Sequence, residues 1–395
     1  MEPITGTIQH YAWGSTDVLA DFMGREPTAS AWAEVWFGSH PLGPTLFPDG
    51  STVATRIAAD PQAMLGDAVV AQFGSRLPYL LKFIAPAQPL SLQVHPSKQQ
   101  AAAGWASEEA AGIPLSSPAR NYRDANHKPE LIYALTGLEA LAGFRAPRRA
   151  AEIVDGLASP LARQVSDIMR ANSGDAGLEA ATRFLLEPET RPTPEAVAAT
   201  VAACEERLAS GTSPSVRADR VAVDLQAAYP GDPAVVLALL LNPVSLRPGE
   251  VLFTPAGSLH CYLLGLGVEL MADSDNVLRA GLTSKHVDVA EALKNTVFHG
   301  APPVRIAAES LTPATEVFYA PVADFELSVT RVAFGTALEL PGSGPRIIAC
   351  IEGGIEARST AGAVRLRRGE AAFITAAERD VVLAGEGRLV QASVP

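Results

Sequence analysis

This sequence lacks the means to form disulfide staples, to span a membrane, or to bind polyanions broadly. Its three cysteines (Cys204, Cys261, Cys350) are odd in number and far apart, which excludes a disulfide framework. The longest apolar run, residues 235–241, falls far short of the roughly 20 residues a helical membrane span requires. Basic residues number 31 against 43 acidic ones, a formal net charge of −12, so nucleic acid and anionic membranes are excluded as partners. An anionic substrate would have to meet a local cationic pocket set against that global field. The opening MEPITGTIQHYAWG has neither a basic n-region nor an apolar h-region, so no secretory leader is expected. Hydrophobic residues at 48% and charged residues at 19% are ordinary for a globular chain. The expectation is a soluble, cytoplasmic protein, monomeric, with two or three domains in its 395 residues.

Hydrophobic patterning divides the chain. Residues 1–90 read as short strands and turns with little helical periodicity, including the aromatic cluster SAWAEVWFGSHPLGP. PYLLKFIAPAQPLSLQVHP gives two apolar strands, 79–84 and 90–95, and Lys82 is an unusual residue inside the first. SKQQAAAGWASEEAAGIP predicts a helix capped by Ser97, and NHKPELIYAL reads as a strand. From residue 148 to 241 the chain turns Ala-, Leu- and Glu-rich with near-helical spacing, and TPEAVAATVAACEERLAS opens with a Thr-Pro-Glu helix start. β-Alternation returns at residue 242 and persists to the end. The expected class is mainly β with a helical insertion. Its domains are a β unit made of 1–147 and 242–299, a helical module over 148–241, and a C-terminal β-domain over 300–395. LRPGEVLFTPAG (246–257) and LRRGEAAFITAA (366–377) share Leu, Arg, Gly, Glu and Phe, which suggests two related β units. In the second copy Glu378 and Arg379 follow instead of a His-containing turn, so no metal is expected there.

The chemistry concentrates in residues 246–288, where His260, Glu269, Asp275, Arg279 and Lys285 sit in an otherwise apolar stretch. Buried charge at that density is costly unless it is paired or bound to a metal. Ser91, Gln93 and His95 recur at every second position, as do Lys128 and Glu130, and His260 and Tyr262. On strands that spacing points each set to one face, and a β-barrel with a polar interior would gather them. Gln93, His95, Glu130 and His260 then offer two imidazoles, a carboxylate and an amide oxygen, a donor set suited to one Zn2+ per chain. Singly these signals are weak. A lone His in an apolar strand is more often a hydrogen-bonded core residue, and HKPE alone can mark a strand start.

YAWGS, LSLQVHP, NHKPEL, FTPAGSLHCY and GVELMADSDNVLRAGLTSKHVD, in this order, resemble the type I mannose-6-phosphate isomerases, zinc enzymes of cupin (jelly-roll) fold. The resemblance implies Gln93, His95, Glu130 and His260 as zinc ligands and Arg279 as the active-site arginine. It places Lys82, Ser91, Lys128, Tyr262, Glu269 and Lys285 in the pocket. The sequence departs from the family at Ser284, usually Pro, and at Cys261, commonly Ala. The implied reaction interconverts mannose 6-phosphate and fructose 6-phosphate through an enediol. That reaction calls for a Lewis acid, a cation for the enediolate (Arg279), and a group that moves the proton. Lys128, Glu269 and Asp275 compete for the last role, while Lys82, Lys285 and Ser91 would bind the phosphate. The competing classes are a cupin-type Fe(II) oxygenase and a non-catalytic sugar-binding protein.

Overall fold

The structure, a computed structural model, describes every residue except Thr28. Two antiparallel sheets enclose the candidate site. The larger runs, in spatial order, through Val304–Ile306, Val251–Thr254, Glu130–Ala134, Gly267–Ala272, Tyr79–Ile84, Glu34–Phe37 and Thr7–Gln9. The smaller runs through Leu278–Gly281, Leu92–Val94, His260–Leu264, Leu138–Phe144 and Leu241–Leu246.

Strand alternation decides what each face of the larger sheet does. Tyr79, Leu81, Phe83, Leu131, Tyr133, Val268 and Leu270 point into a hydrophobic core. Their neighbours Leu80, Lys82, Ile84, Glu130, Glu269 and Met271 line a cavity on the opposite face. The core face packs against a third, nine-stranded sheet, eight of whose strands come from the last hundred residues, through Phe325, Phe373, Val390 and Ala392. The chain's first strand, Glu2–Ile4, pairs with Ala371–Ile374 in that third sheet and not with the strands that follow it in sequence.

The smaller sheet packs its apolar face against the helical insertion. Pro147–Val154, Pro160–Ala171, Asp175–Leu186, Pro194–Ala209 and Val216–Ala228 bury Ile153, Leu161, Leu185, Val197 and Leu225 with Leu92, Val94 and Leu138. Ser159, Thr193 and Ser215 accept backbone N–H bonds as N-caps, and the first two are each followed by a proline at the first helical position. A buried ion pair, Arg207 Nε to Asp219 Oδ2 at 2.6 Å, ties the last two of these helices together.

Two local expectations are corrected. Residues 1–90 hold four short helices, Val18–Phe22, Val53–Ala59, Pro61–Leu65 and Asp67–Phe73. At five to seven residues they are too short to display a helical period, and caps such as Asp17, Thr52 and Asp60 were the readable signal. Lys128 precedes its strand, which begins at Glu130, because Pro129 has no N–H to enter a ladder. The expected helix at Ser97 is present as Lys98–Ala110, with Ser97 and Gln100 forming a capping box.

The internal repeat is a repeat in three dimensions. Arg247 N–H donates to Glu250 Oε2 and Arg367 N–H to Glu370 Oε2, both at 2.8 Å. Gly249 and Gly369 take φ of +91° and +86°, and each donates its N–H to a neighbouring strand, at Ala134 O and Cys350 O respectively. Only the first copy runs on through Gly257 to His260.

Candidate metal centre and active site

Three elements deliver the ligand cluster. His95 follows Leu92–Val94, His260 opens His260–Leu264 beside Gln93 in the same sheet, and Glu130 opens its strand on the opposing sheet. Glu130 Oε2 lies 3.2 Å from His95 Nε2, and Oε1 lies 2.9 Å from His260 Nε2. One ligand atom from each residue falls within 4.8 Å of the others, and all three residues are buried.

The tautomers follow from the second nitrogen of each ring. His95 Nδ1 faces the backbone oxygen of Asn276 at 2.7 Å, and His260 Nδ1 faces that of Ser258 at 3.0 Å. A carbonyl only accepts, so a ring with one proton keeps it on Nδ1 and turns the Nε2 lone pair toward Glu130. Burial and the Lys128 charge push the His95 imidazole down to about 3, so it does not carry a second proton near neutrality. Burial alone would raise Glu130, but Lys128, His260 and His95 outweigh it and hold the carboxyl well below its usual range. Lys128 Nζ reaches the cluster from one side, 3.5 Å from His95 Nε2, and two lone pairs and a carboxylate aimed at one another are the donor set a divalent metal takes. Gln93 donates its Nε2 to Ser91 Oγ at 3.1 Å, which leaves its oxygen available as a fourth donor. Tyr262 OH donates to Glu130 Oε1 at 3.2 Å, and Lys128 Nζ lies 3.4 Å from Glu130 Oε2.

The cavity above the cluster measures about 230 Å3. Eleven of the twelve residues expected from sequence line it: Lys82, Ser91, Gln93, Lys128, Glu130, His260, Tyr262, Glu269, Asp275, Arg279 and Lys285. His95 is the twelfth, packed against Glu130. One wall is an ion-pair network. Lys82 Nζ is 2.8 Å from Glu269 and 3.8 Å from Glu34, and lies over the Trp36 ring, whose Nε1 donates to Glu34 Oε2 at 2.5 Å. Burial works against the Lys82 ammonium, but Glu269 and Glu34 prevail and raise it above its ordinary value. Lys82 is therefore engaged by carboxylates at the place where a free phosphate ligand was expected.

Arg279 and Lys285 also line the cavity, and among the described residues neither forms an ion pair with a carboxylate; Lys285 Nζ lies 5.5 Å from the centroid of the Tyr11 ring. Burial and Arg123 lower the Arg279 guanidinium, and burial and Arg279 lower the Lys285 ammonium, as expected for neighbouring unpaired cations. Tyr11, Glu34, Trp36 and Thr283 line the cavity but were not singled out in the sequence. Glu34 meets Lys82 only through the pairing of Glu34–Phe37 with Tyr79–Ile84, which the sequence does not show.

The geometry agrees with the comparisons to known proteins. Residues 1–147 match the family model described as the phosphomannose isomerase type I catalytic domain. The chain is 35% identical over 409 residues to the mannose-6-phosphate isomerase of Escherichia coli (strain K12), covering 99% of each. It is 31% identical over 412 residues to that of Homo sapiens, covering 95% of this chain and 93% of the relative. The apo form of mannose 6-phosphate isomerase from Salmonella typhimurium superposes with a TM-score of 0.90 at 34% identity, covering 100% of this chain and 99% of the other. A mannose 6-phosphate isomerase crystallised with zinc and yttrium gives the same TM-score and identity. The sheet-rich, helix-inserted architecture is that of those structures, and the chain belongs to the type I phosphomannose isomerase family, the mannose-6-phosphate isomerases.

Proposed function

We propose that the protein interconverts mannose 6-phosphate and fructose 6-phosphate through an enediol at a zinc site held by Gln93, His95, Glu130 and His260. The observation that carries this reading is the converging Nε2 lone pairs and Glu130 carboxylate, in a cavity that also holds two cations without carboxylate partners among the described residues. Zinc, when bound, supplies Lewis acidity at the reacting end.

The chain's own residues supply the rest. Lys285, with the Ser91 and Thr283 hydroxyls, receives the phosphate dianion. Arg279 pairs with Gln93 across the sheet, so it sits nearer the reacting carbons, where a fixed charge stabilises the enediolate. Lys82 holds Glu269 and Glu34 in place and is not the phosphate ligand. Glu130 and Lys128 are committed to the cluster, and Glu34 and Glu269 to Lys82. Asp275 is the remaining cavity carboxylate, and we assign it the proton transfer. It takes the proton from C2 of the open-chain aldose as the C2–H electron pair becomes the C1–C2 double bond and the C1=O π pair moves onto O1, and it returns the proton to C1 as O2 re-forms its double bond to C2. A proton passes from O2 to O1 to complete the ketose.

The Fe(II) oxygenase reading gives Arg279 and Lys285 no task, and the non-catalytic sugar-binding reading predicts lost ligands, whereas Gln93, His95, Glu130 and His260 are all present. We further read 1–147 with 242–299 as the catalytic unit, 148–241 as helical and 300–395 as the C-terminal unit, with Glu2–Ile4 contributing across that boundary. The three cysteines are buried free thiols, which supports a cytosolic setting, and we read the enzyme as a monomer. The test is a coupled assay of purified protein on mannose 6-phosphate, run beside oxygen-uptake measurements with Fe(II). Fructose 6-phosphate formation is expected; oxygen uptake without isomerisation would overturn the assignment.

A further inference from the structure

His40 lies in the SHPLGP turn that follows Glu34–Phe37, outside every residue set assigned above. Its side chain is 5% exposed, and Nε2 lies 3.1 Å from Asp275 Oδ2. The Leu42 N–H donates to Nδ1 at 3.2 Å. Because Nδ1 accepts, the ring proton sits on Nε2, and the imidazole donates to Asp275. The ring packs edge-on against Trp36, with centroids 4.9 Å apart and planes at 89°. The turn closes with Gly43 N–H to His40 O at 3.2 Å. His40 therefore has one orientation, fixed by backbone on one nitrogen and by an aromatic wall on its face.

Asp275 is fixed from a second side, since its backbone N–H donates to Asp124 Oδ2 at 2.8 Å. Its side chain stays 30% exposed toward the cavity, and among the described residues His40 is the only side chain hydrogen-bonded to its carboxylate. A carboxylate on a loop has free rotation about two side-chain bonds. A general base must hold one oxygen within hydrogen-bond reach of the proton it takes. One donor on one oxygen removes that freedom and leaves the other oxygen for substrate. A lysine donor, like the one on Glu269, would add a full opposing charge.

We infer that His40 is a positioning residue that aims the Asp275 carboxylate at the C1–C2 end of the substrate; this rests on the isomerase reading and on Asp275 as its base. Burial tends to raise the Asp275 carboxyl, but the His40 hydrogen bond, with the Lys128 and Lys82 charges, brings it below its ordinary value. That keeps it ionised and ready to accept.

The test compares His40→Leu, His40→Gln and Asp275→Asn in zinc-loaded full-length enzyme with confirmed metal content. Glutamine places an amide N–H near the position of Nε2; leucine offers none. His40→Leu should lower kcat about 10- to 100-fold, the usual range for losing a supporting hydrogen bond, with KM within about twofold. It should also raise the primary deuterium isotope effect on kcat with C2-deuterated mannose 6-phosphate, because proton transfer becomes slower relative to other steps. His40→Gln should recover most of kcat and the original isotope effect. If His40→Leu fails to fold, His40→Asn, whose shorter amide cannot reach Asp275, takes its place. Unchanged kcat in the donor-less variant would overturn the inference, as would a kcat loss with an unchanged isotope effect that His40→Gln does not repair. Asp275→Asn separates the two claims: near-normal kcat there removes Asp275 as base, whatever the His40 variants do.

Discussion

Arg279 and Lys285 are both cavity cations without carboxylate partners among the described residues, and the proposed mechanism gives them different parts of the reaction. Charge develops at the enediolate only in the transition state, whereas the phosphate carries its charge throughout. Arg279→Ala should therefore lower kcat by roughly 100- to 1000-fold, by analogy with oxyanion-hole losses, while Lys285→Ala should mainly raise KM. Steady-state kinetics on zinc-loaded variants check this, and a normal kcat with raised KM in Arg279→Ala would exchange the two roles. Asp273 gives a stability prediction. Burial pushes its carboxyl up to about 6, and Oδ1 has no hydrogen-bond partner. Because the folded value lies above the unfolded one, the penalty is absent below about 3.8, grows as pH rises, and is complete above about 6. Asp273→Asn should then raise Tm at pH 8, by at most about 3 kcal/mol of stability, and lose that advantage near pH 4; equal effects at both pH values would count against it. The convergence of His95, Glu130 and His260 was legible because polar residues at every second position of an apolar strand share one face. The lysines were legible through scarcity: the chain has five (Lys82, Lys98, Lys128, Lys285, Lys294), and three line the cavity. The partner of Lys82 was not legible, since the Trp36↔Lys82 and Glu269↔Lys82 registers are set by strand pairing over long sequence separations.

The repeated turn shows what an element can and cannot convey. Arg247–Glu250 and Arg367–Glu370 close in the same way because Gly249 and Gly369 both occupy the left-handed region, where a side chain is strained. Their surroundings differ. A Cβ on Gly369 would come within 2.8 Å of Met23 Cα, whereas one on Gly249 would find nothing nearer than Tyr133 OH at 3.8 Å. Gly249→Ala should cost about 1 kcal/mol from backbone strain alone, and Gly369→Ala clearly more, as measured by urea unfolding. Equal costs would show that the loop at Met23 yields. Longer helices were readable from composition and start signals, as with Lys98–Ala110 behind Ser97 and Pro194–Ala209 behind Thr193. The four short helices before residue 80 were not, because their order comes from burying Leu19, Ile57, Leu65 and Val69 in the core shared with the C-terminal sheet.

At the scale of the molecule, the larger sheet is covered on one face by the C-terminal sheet and lines the cavity with the other, while the helical insertion backs the smaller sheet. Sequence alternation indicated three kinds of layer. It did not indicate that Glu2–Ile4 joins the far sheet, since a three-residue strand has no pattern of its own. The metal centre needs both enclosing sheets at once: His95 and His260 come from one and Glu130 from the other. The most direct measurement is a zinc titration of metal-depleted full-length enzyme, following the initial rate of fructose 6-phosphate formation from mannose 6-phosphate. The rate should start near zero, rise linearly, and level off at about one equivalent per chain, as a single four-ligand site requires. Full activity before any zinc is added, or a plateau at two equivalents, would contradict the account.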